Sequence, residues 1–341
     1  MDRSTRKIEH IQHTLSTGER SWGSLDELHF IPNSLPNISY VNTDIKTTIA
    51  DIPLLSPILI NAMTGGAEAV TSINQQLAIL AREKNLAMAV GSQMAAIKDP
   101  ILIPSYRIVR KENPSGVLFA NLGAEASVEQ AVAAIEMIEA NGLQIHLNVI
   151  QELLMPEGDR DFTGYLRNIE RIVSTVPVPV IVKEVGFGMS RETIRQLQEI
   201  GVRAIDVGGS GGTNFARVEN LRSSRPYPMF DDWGLTTLQS MLESRIVRLE
   251  NTSIIASGGI RHGLDIAKAL ALGANAVGIA QLFLRLVRQE SVEAGLEVID
   301  ELHHQLRIAM TALGAAAITE LRDAAFTLSP QIESWAKQRE I

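Results

Sequence analysis

The chain has no cysteine among its 341 residues, which removes disulfides, thiolate catalysis, cysteine-bound zinc and iron–sulfur clusters. Any redox chemistry must therefore come from a bound cofactor. Aromatic residues are only 4%, so the interior has to be built from Ala, Ile, Leu and Val, a composition suited to parallel strands buried on both faces. Positive charge is not in excess: 31 Lys and Arg stand against 39 Asp and Glu, a formal net charge of −8, and the basic residues are scattered. The electrostatic footprint of a nucleic-acid binder is missing, so a small-molecule partner is expected. The most apolar stretch, residues 266–287, is interrupted by Lys268, Asn275, Gln281 and Arg285, a poor fit to a membrane span. The first ten residues are charged and polar, without the apolar stretch of a secretory signal, so a cytoplasmic location is expected.

What is present is a repeat of short apolar segments rich in branched residues, with helical stretches between them. Eight strands are predicted, at 58–62, 87–90, 117–120, 143–147, 180–183, 204–207, 253–257 and 276–279. Helix ends are legible: Ser127 with Gln130 reads as a capping box for a helix running to Asn141-Gly142, and Ser190 opens a helix that Gly201 closes. Eight such alternations with right-handed crossovers predict an α/β fold of the (β/α)8 TIM barrel type, with an open doubly wound sheet as the alternative. Residues 1–56 read as an N-terminal arm packing on the barrel. Residues 57–341 read as the barrel with C-terminal helices, all one structural domain. A polar insertion, 214–232, follows the sixth segment and carries Arg217, Arg222 and Arg225; it is either a binding element or a solvated loop or oligomer contact.

In such a barrel the active site is built at the C-terminal ends of the strands. Gly208 to Thr213, Gly258-Gly259 and Ala280-Gln281 follow the sixth, seventh and eighth segments. There, exposed backbone N–H groups and a helix N-terminus make an anion site for a phosphate-bearing cofactor, with Thr213 adding a hydroxyl. Lys183 ends an apolar strand and needs a partner. It reads as a Schiff-base nucleophile, as a fixed charge beside a flavin, or as a structural ion pair with Glu184. Amide and hydroxyl groups at Thr64, Ser92 and Asn121 favour the rim of a flavin, with Met63 packing on the ring or simply in the core. One loop supplies His146, Asn148, Gln151 and Glu152. Its single carboxylate with amide neighbours suits Mg2+ completed by a substrate phosphate, or else a helix N-terminal acid, while His146 reads equally as a barrel-interior histidine. Arg6, Lys7 and His10 form a small basic group that, alone, is most simply a solvated terminus.

Taken together, Arg6-Lys7 with His10, residues 61–66, Gly91-Ser92-Gln93-Met94, QIHLNVIQELLMPEGD at 144–159, VKEVGFG at 182–188, residues 211–215, Trp233-Gly234 and SGGIR at 257–261 resemble the type 2 isopentenyl diphosphate isomerases, a flavin-dependent family. The likeness spans almost the whole chain. It implies FMN held by Ala62, Met63, Thr64, Ser92, Asn121, Lys183, Ser210, Thr213, Gly258, Gly259, Ala280 and Gln281. It implies an isoprenoid diphosphate met by Arg6, Lys7, His10, His146 and Asn148, with Ser92, Gln93, Met94 and Gln151 on the substrate side, Gln151 being the catalytic candidate and Glu152 the Mg2+ ligand. NADPH or NADH would serve as reductant, and a homo-oligomer, tetramer or octamer, is expected. His262 departs from the acid that many relatives carry. An FMN-linked hydroxy-acid oxidase or dehydrogenase is the rival reading; it would need a side-chain base that 208–213 and 257–261 do not supply.

Overall fold

The structure is a computed structural model that describes residues 23–63, 65–67, 70–247 and 251–341. Eight parallel strands close on themselves: β1 (Ile58–Ile60), β2 (Ala87–Ala89), β3 (Leu118–Gly123), β4 (Gly142–Leu147), β5 (Val180–Glu184), β6 (Ala204–Asp206), β7 (Ser253–Ser257) and β8 (Ala276–Ile279). Closure is made by β8 on β1, with Val277 opposite Ile58 and Ile279 opposite Ile60. All eight overlap the predicted segments, with ends shifted by up to three residues, so the closed barrel stands and the open sheet does not.

Side chains alternate across each strand, and the inward-facing positions fall into two layers. The lower layer is apolar: Leu59, Phe119, Ile181, Ala204 and Ile255 form one buried cluster. Two residues further along the same strands stand Asn61, Asn121, Lys183, Asp206 and Ser257, all buried. On these five strands the inward position therefore changes from hydrocarbon to polar on approaching the C-terminal mouth. The other end is plugged by the arm, whose antiparallel strands Thr47–Ile49 and Ile52–Leu54 set Ile49 and Leu54 into the lower layer. Further back, Leu28–Phe30 pairs with Phe326–Leu328, so the arm is stitched to the C-terminal segment.

The helices largely start where capping chemistry places them. Ser127 accepts from the Gln130 N–H and the Gln130 side chain returns the bond, opening Val128–Met137. That helix ends earlier than the sequence suggests, because Arg110 collects the carbonyls of Ile138 and Glu139 and Asn141 turns to serve the Leu118 N–H of β3. Ser190 and Gly201 bracket Arg191–Glu199 as expected, Gly201 at φ 86°. The insertion is structured: Asn214 caps the Phe215–Arg222 helix by accepting from the Arg217 N–H. The expected C-terminal helices are dominated by Val292–Leu313. Among the described residues, no helix is long and apolar enough to cross a membrane.

Candidate active site

The mouth of the barrel holds a cleft of about 830 Å³, part of it open to solvent. Much of its lining is glycine. Gly211, Gly258 and Gly259 have φ of 134°, 103° and 73°, a region that disfavours any side chain. A Cβ on Gly258 would lie 1.9 Å from the Gly209 carbonyl oxygen, and one on Gly259 3.0 Å from Gly211. The two loops thus approach backbone to backbone, which only glycine permits, and Thr213 lines the cavity beside them. An anionic group backed by main-chain N–H donors fits such a cradle.

Lys183 lines the same cleft. It lies beside Asp206 in the β5–β6 register, and its ammonium donates to the Glu184 carbonyl at 2.8 Å. Burial pulls its pKa down, opposed first by the charge of Asp206 and then by Glu184. The Glu184 side chain turns away to accept the N–H groups of Val185, Gly186 and Phe187 at 2.6, 2.7 and 2.5 Å. Lys183 therefore makes no side-chain ion pair with it. Burial outweighs those three donors and pushes the Glu184 carboxyl up to about 7.

Between Lys183 and the far wall, the polar layer is bonded throughout. Asn61 Nδ2 donates to Asp206 at 2.6 Å, Gln144 Nε2 to Asn61 Oδ1 at 3.2 Å, and Asn121 Nδ2 to Gln144 Oε1 at 3.2 Å. His146 Nδ1 sits 3.0 Å from Asn121 Oδ1. Beyond it the Val149–Leu154 helix begins at Asn148, whose amide donates to Glu152 at 2.8 Å. The other Glu152 oxygen accepts from the Asp159 N–H at 2.9 Å. Gln151 is buried and donates to Glu219 at 3.1 Å.

Of the residues expected around FMN, Ala62, Met63, Lys183, Thr213, Gly258, Gly259, Ala280 and Gln281 line this one cleft. Asn121 sits in the polar layer beneath it. Ser210 does not line it; its backbone bridges to Thr236 and its N–H donates to Leu235. On the substrate side, His146, Asn148, Gln151 and Glu152 gather along one loop and helix. Ser92 is half-buried, its carbonyl accepting the Tyr106 hydroxyl. Gln93 is not brought to the mouth: fully buried, it donates to the Ala134 carbonyl and accepts from the Asn121 N–H, both at 2.9 Å, a tie between β3 and the Val128–Met137 helix. Met94 is likewise buried, opening the Met94–Lys98 helix against the apolar core. Arg6, Lys7, His10 and Thr64 lie outside the described residues.

Four residues of the site escaped the sequence reading as chemistry. Asn61, Gln144 and Asp206 were detectable as polar side chains inside apolar strands, which need partners when buried. Glu219 gave no local signal, since a glutamate in a polar insertion reads as solvated.

Comparison with known proteins agrees with this geometry. Residues 152–328 match the family described as FMN-dependent dehydrogenase, a stretch that supplies β5 to β8 and hence the glycine cradle. Solved mandelate oxidases share the fold at low identity. A variant carrying a C4a-OH-FMN adduct superposes at TM-score 0.68 with 15% identity, covering 95% of this chain and 99% of that one; another, with (S)-2-phenylpropionate, at 0.63 with 14%, covering 95% and 98%. Much closer in sequence are an isopentenyl-diphosphate delta-isomerase of Bacillus cytotoxicus, 54% identical over 342 residues with 100% of this chain and 98% of the relative covered, and one of a Geobacillus species, 50% identical over 344 residues with 99% and 97% covered. Full-length identity at this level, joined to the FMN-type barrel, shows that the chain belongs to the isopentenyl-diphosphate delta-isomerase family.

Proposed function

We propose that the protein interconverts isopentenyl and dimethylallyl diphosphate by adding one proton and removing another, with FMN in the glycine-walled cleft and Mg2+ carried by Glu152. The single observation that carries this reading is the make-up of the cleft wall. It offers a phosphate cradle and a buried lysine, and among the described lining residues no histidine. A hydroxy-acid oxidase uses a histidine there as its base, and Glu184, which also lines the cleft, has one carboxylate oxygen taken by three backbone N–H groups; an isomerase whose acid and base come from its coenzyme needs neither. FMN, once reduced, supplies that acid and base. Lys183 holds a positive charge against the coenzyme, and Asp206 behind it keeps that charge from being lost to burial. Gln151, an amide fixed by Glu219, orients the hydrocarbon end, because an amide cannot itself protonate an alkene.

His146 and Asn148 turn toward the diphosphate in this reading. Glu152 offers a hard oxygen donor beside Glu125, whose carboxyl burial holds above its usual range, with the charges of Glu152 and Asp159 adding to the effect. One carboxylate with substrate phosphate and water completes a normal Mg2+ shell, and a divalent ion relieves this repulsion. Basic Arg6, Lys7 and His10 would close on the same anion. NADPH or NADH is needed only to reduce the coenzyme. Leu221 and Met229 on the insertion and Trp233 just after it are exposed, an apolar surface that would suit self-association; the tetramer or octamer and the cytoplasmic location are carried over from the family resemblance alone.

The test is turnover under anaerobic conditions. FMN-loaded protein, reduced with NADPH and given isopentenyl diphosphate and Mg2+, is expected to form dimethylallyl diphosphate with no stoichiometric use of nicotinamide. Equal speed from FMN-free protein, or steady peroxide from a 2-hydroxy acid, would overturn the reading.

A further inference from the structure

The polar layer of the barrel has a direction. Asp206 can only accept when ionised, and it accepts from the Gly208 N–H at 3.2 Å and from the Ser257 hydroxyl as well as from Asn61. Asn61 must then turn its NH2 toward Asp206 and its oxygen away. That oxygen accepts from Gln144 at 3.2 Å and from the Ala62 N–H at 2.9 Å, so two donors agree on its orientation. With its NH2 spent on Asn61, Gln144 presents its oxygen to the Asn121 NH2, 3.2 Å away. Asn121 is left with only a carbonyl oxygen for His146 Nδ1, at 3.0 Å. A carbonyl cannot donate, so Nδ1 must carry the hydrogen. Each assignment follows from the one before it, and the row starts at a charge whose role is not ambiguous.

We propose that Asp206, Asn61, Gln144 and Asn121 act as a row of positioning residues that fixes His146 as the Nδ1–H tautomer and thereby makes Nε2 its basic atom. The row spans β6, β1, β4 and β3, so a carboxylate next to Lys183 on the coenzyme side sets the state of an imidazole on the substrate side. Protonation of Nε2 then turns the ring into a donor at both nitrogens without reversing any bond in the row. The opposite tautomer would set the Nδ1 lone pair against the Asn121 oxygen and force every amide behind it to flip. The consequence for substrate rests on the reading of His146 as a diphosphate contact, whereas the tautomer itself does not.

The experiment is nitrogen-15 NMR of histidine-labelled, FMN-loaded enzyme without substrate, with His146 assigned by its loss in His146→Gln. Wild-type protein is expected to show a protonated Nδ1 and a lone pair on Nε2. Gln144→Met keeps the volume, leaves Asp206 and Lys183 untouched and severs the row; its His146 is expected to lose the preference and populate Nε2–H. Asp206→Asn, whose NH2 must oppose either the Gly208 N–H or the Asn61 NH2, is the second variant and decides the matter if the first fails to fold. An Nε2–H tautomer in wild type, or Nδ1–H kept at full occupancy in the folded variants, overturns the proposal. In turnover, Gln144→Met is expected to raise KM for isopentenyl diphosphate about tenfold, the worth of one hydrogen bond to a charged group, with kcat little changed. A shifted tautomer with unaltered KM would uphold the row and instead remove His146 from the diphosphate site.

Discussion

Gln151 donates its amide hydrogen to Glu219 at 3.1 Å, so the side chain proposed to orient the hydrocarbon end of the substrate is held by a residue from the insertion. Glu219 is fully buried, and Arg222, one helical turn later, pairs with it while reaching Glu157 at 3.0 Å. The insertion is therefore a clamp on the Val149–Leu154 helix. Glu219→Ala leaves Arg222 short of its main partner in a buried setting and is expected to cost about 3 kcal/mol, read as a lower urea midpoint. It should also lower kcat more than FMN affinity. Glu219→Gln, which keeps an acceptor for Gln151, is expected to recover much of kcat and little of the stability. Equal kcat in all three proteins would mean that Gln151 does not depend on this contact.

This clamp marks the limit of what the sequence discloses. The barrel was legible because each strand is a short apolar run with a polar or glycine residue at its C-terminal end, as in Ile181 followed by Lys183 or Ala276 followed by Gly278. The glycine cradle was legible because each of its two glycine-rich loops, 208–212 and 258–259, follows a strand. Gln93 misled because its motif adjoins the mouth while its side chain turns into the wall, a choice made by the Ala134 carbonyl and the Asn121 N–H. Glu219 and Gln151 are separated by 68 positions, and nothing local marks one as the other's partner.

Gly259 tests the cradle. At φ 73°, with a Cβ only 3.0 Å from Gly211, alanine there brings both strain and contact. Left-handed backbone in a residue with a side chain costs about 1–2 kcal/mol, and the two loops must part to admit the methyl group. Gly259→Ala is expected to weaken FMN at least tenfold in a fluorescence titration while far-ultraviolet circular dichroism stays unchanged. FMN affinity equal to wild type would show that the phosphate is not cradled here.

The arm has its own pH dependence. Ser56, at its end, lies 2.7 Å from His303 Nε2 on the Val292–Leu313 helix. Burial holds His303 down at about 4, with Arg307 and Lys84 adding to that effect and Asp300 opposing it. A depressed folded value means that the neutral ring stabilises the fold above the ordinary histidine range, and this contribution is lost as pH falls through about 4. Its full size is up to about 3 kcal/mol. His303→Gln, neutral at every pH, should therefore flatten the loss of thermal stability between neutral and acidic solution. The same slope in both proteins would place the acid sensitivity elsewhere.

Glu152 separates metal from coenzyme. Its carboxylate oxygens already accept from Asn148 at 2.8 Å and the Asp159 N–H at 2.9 Å, and the lone pairs not used there are what a hard cation would take. In Glu152→Gln one oxygen survives to accept a backbone donor, so the loop should keep its shape while losing the charge proposed to hold Mg2+. The expected result is a large rise in the Mg2+ concentration needed for half-maximal activity, with the yellow FMN complex intact, since no wall of the FMN cleft includes this residue. If instead the variant lost its flavin, the two sites would not be independent. If its magnesium requirement matched wild type, the metal would have to be held by other oxygens, of which Glu125 and Asp159, whose charges are felt across this loop, are the first to substitute.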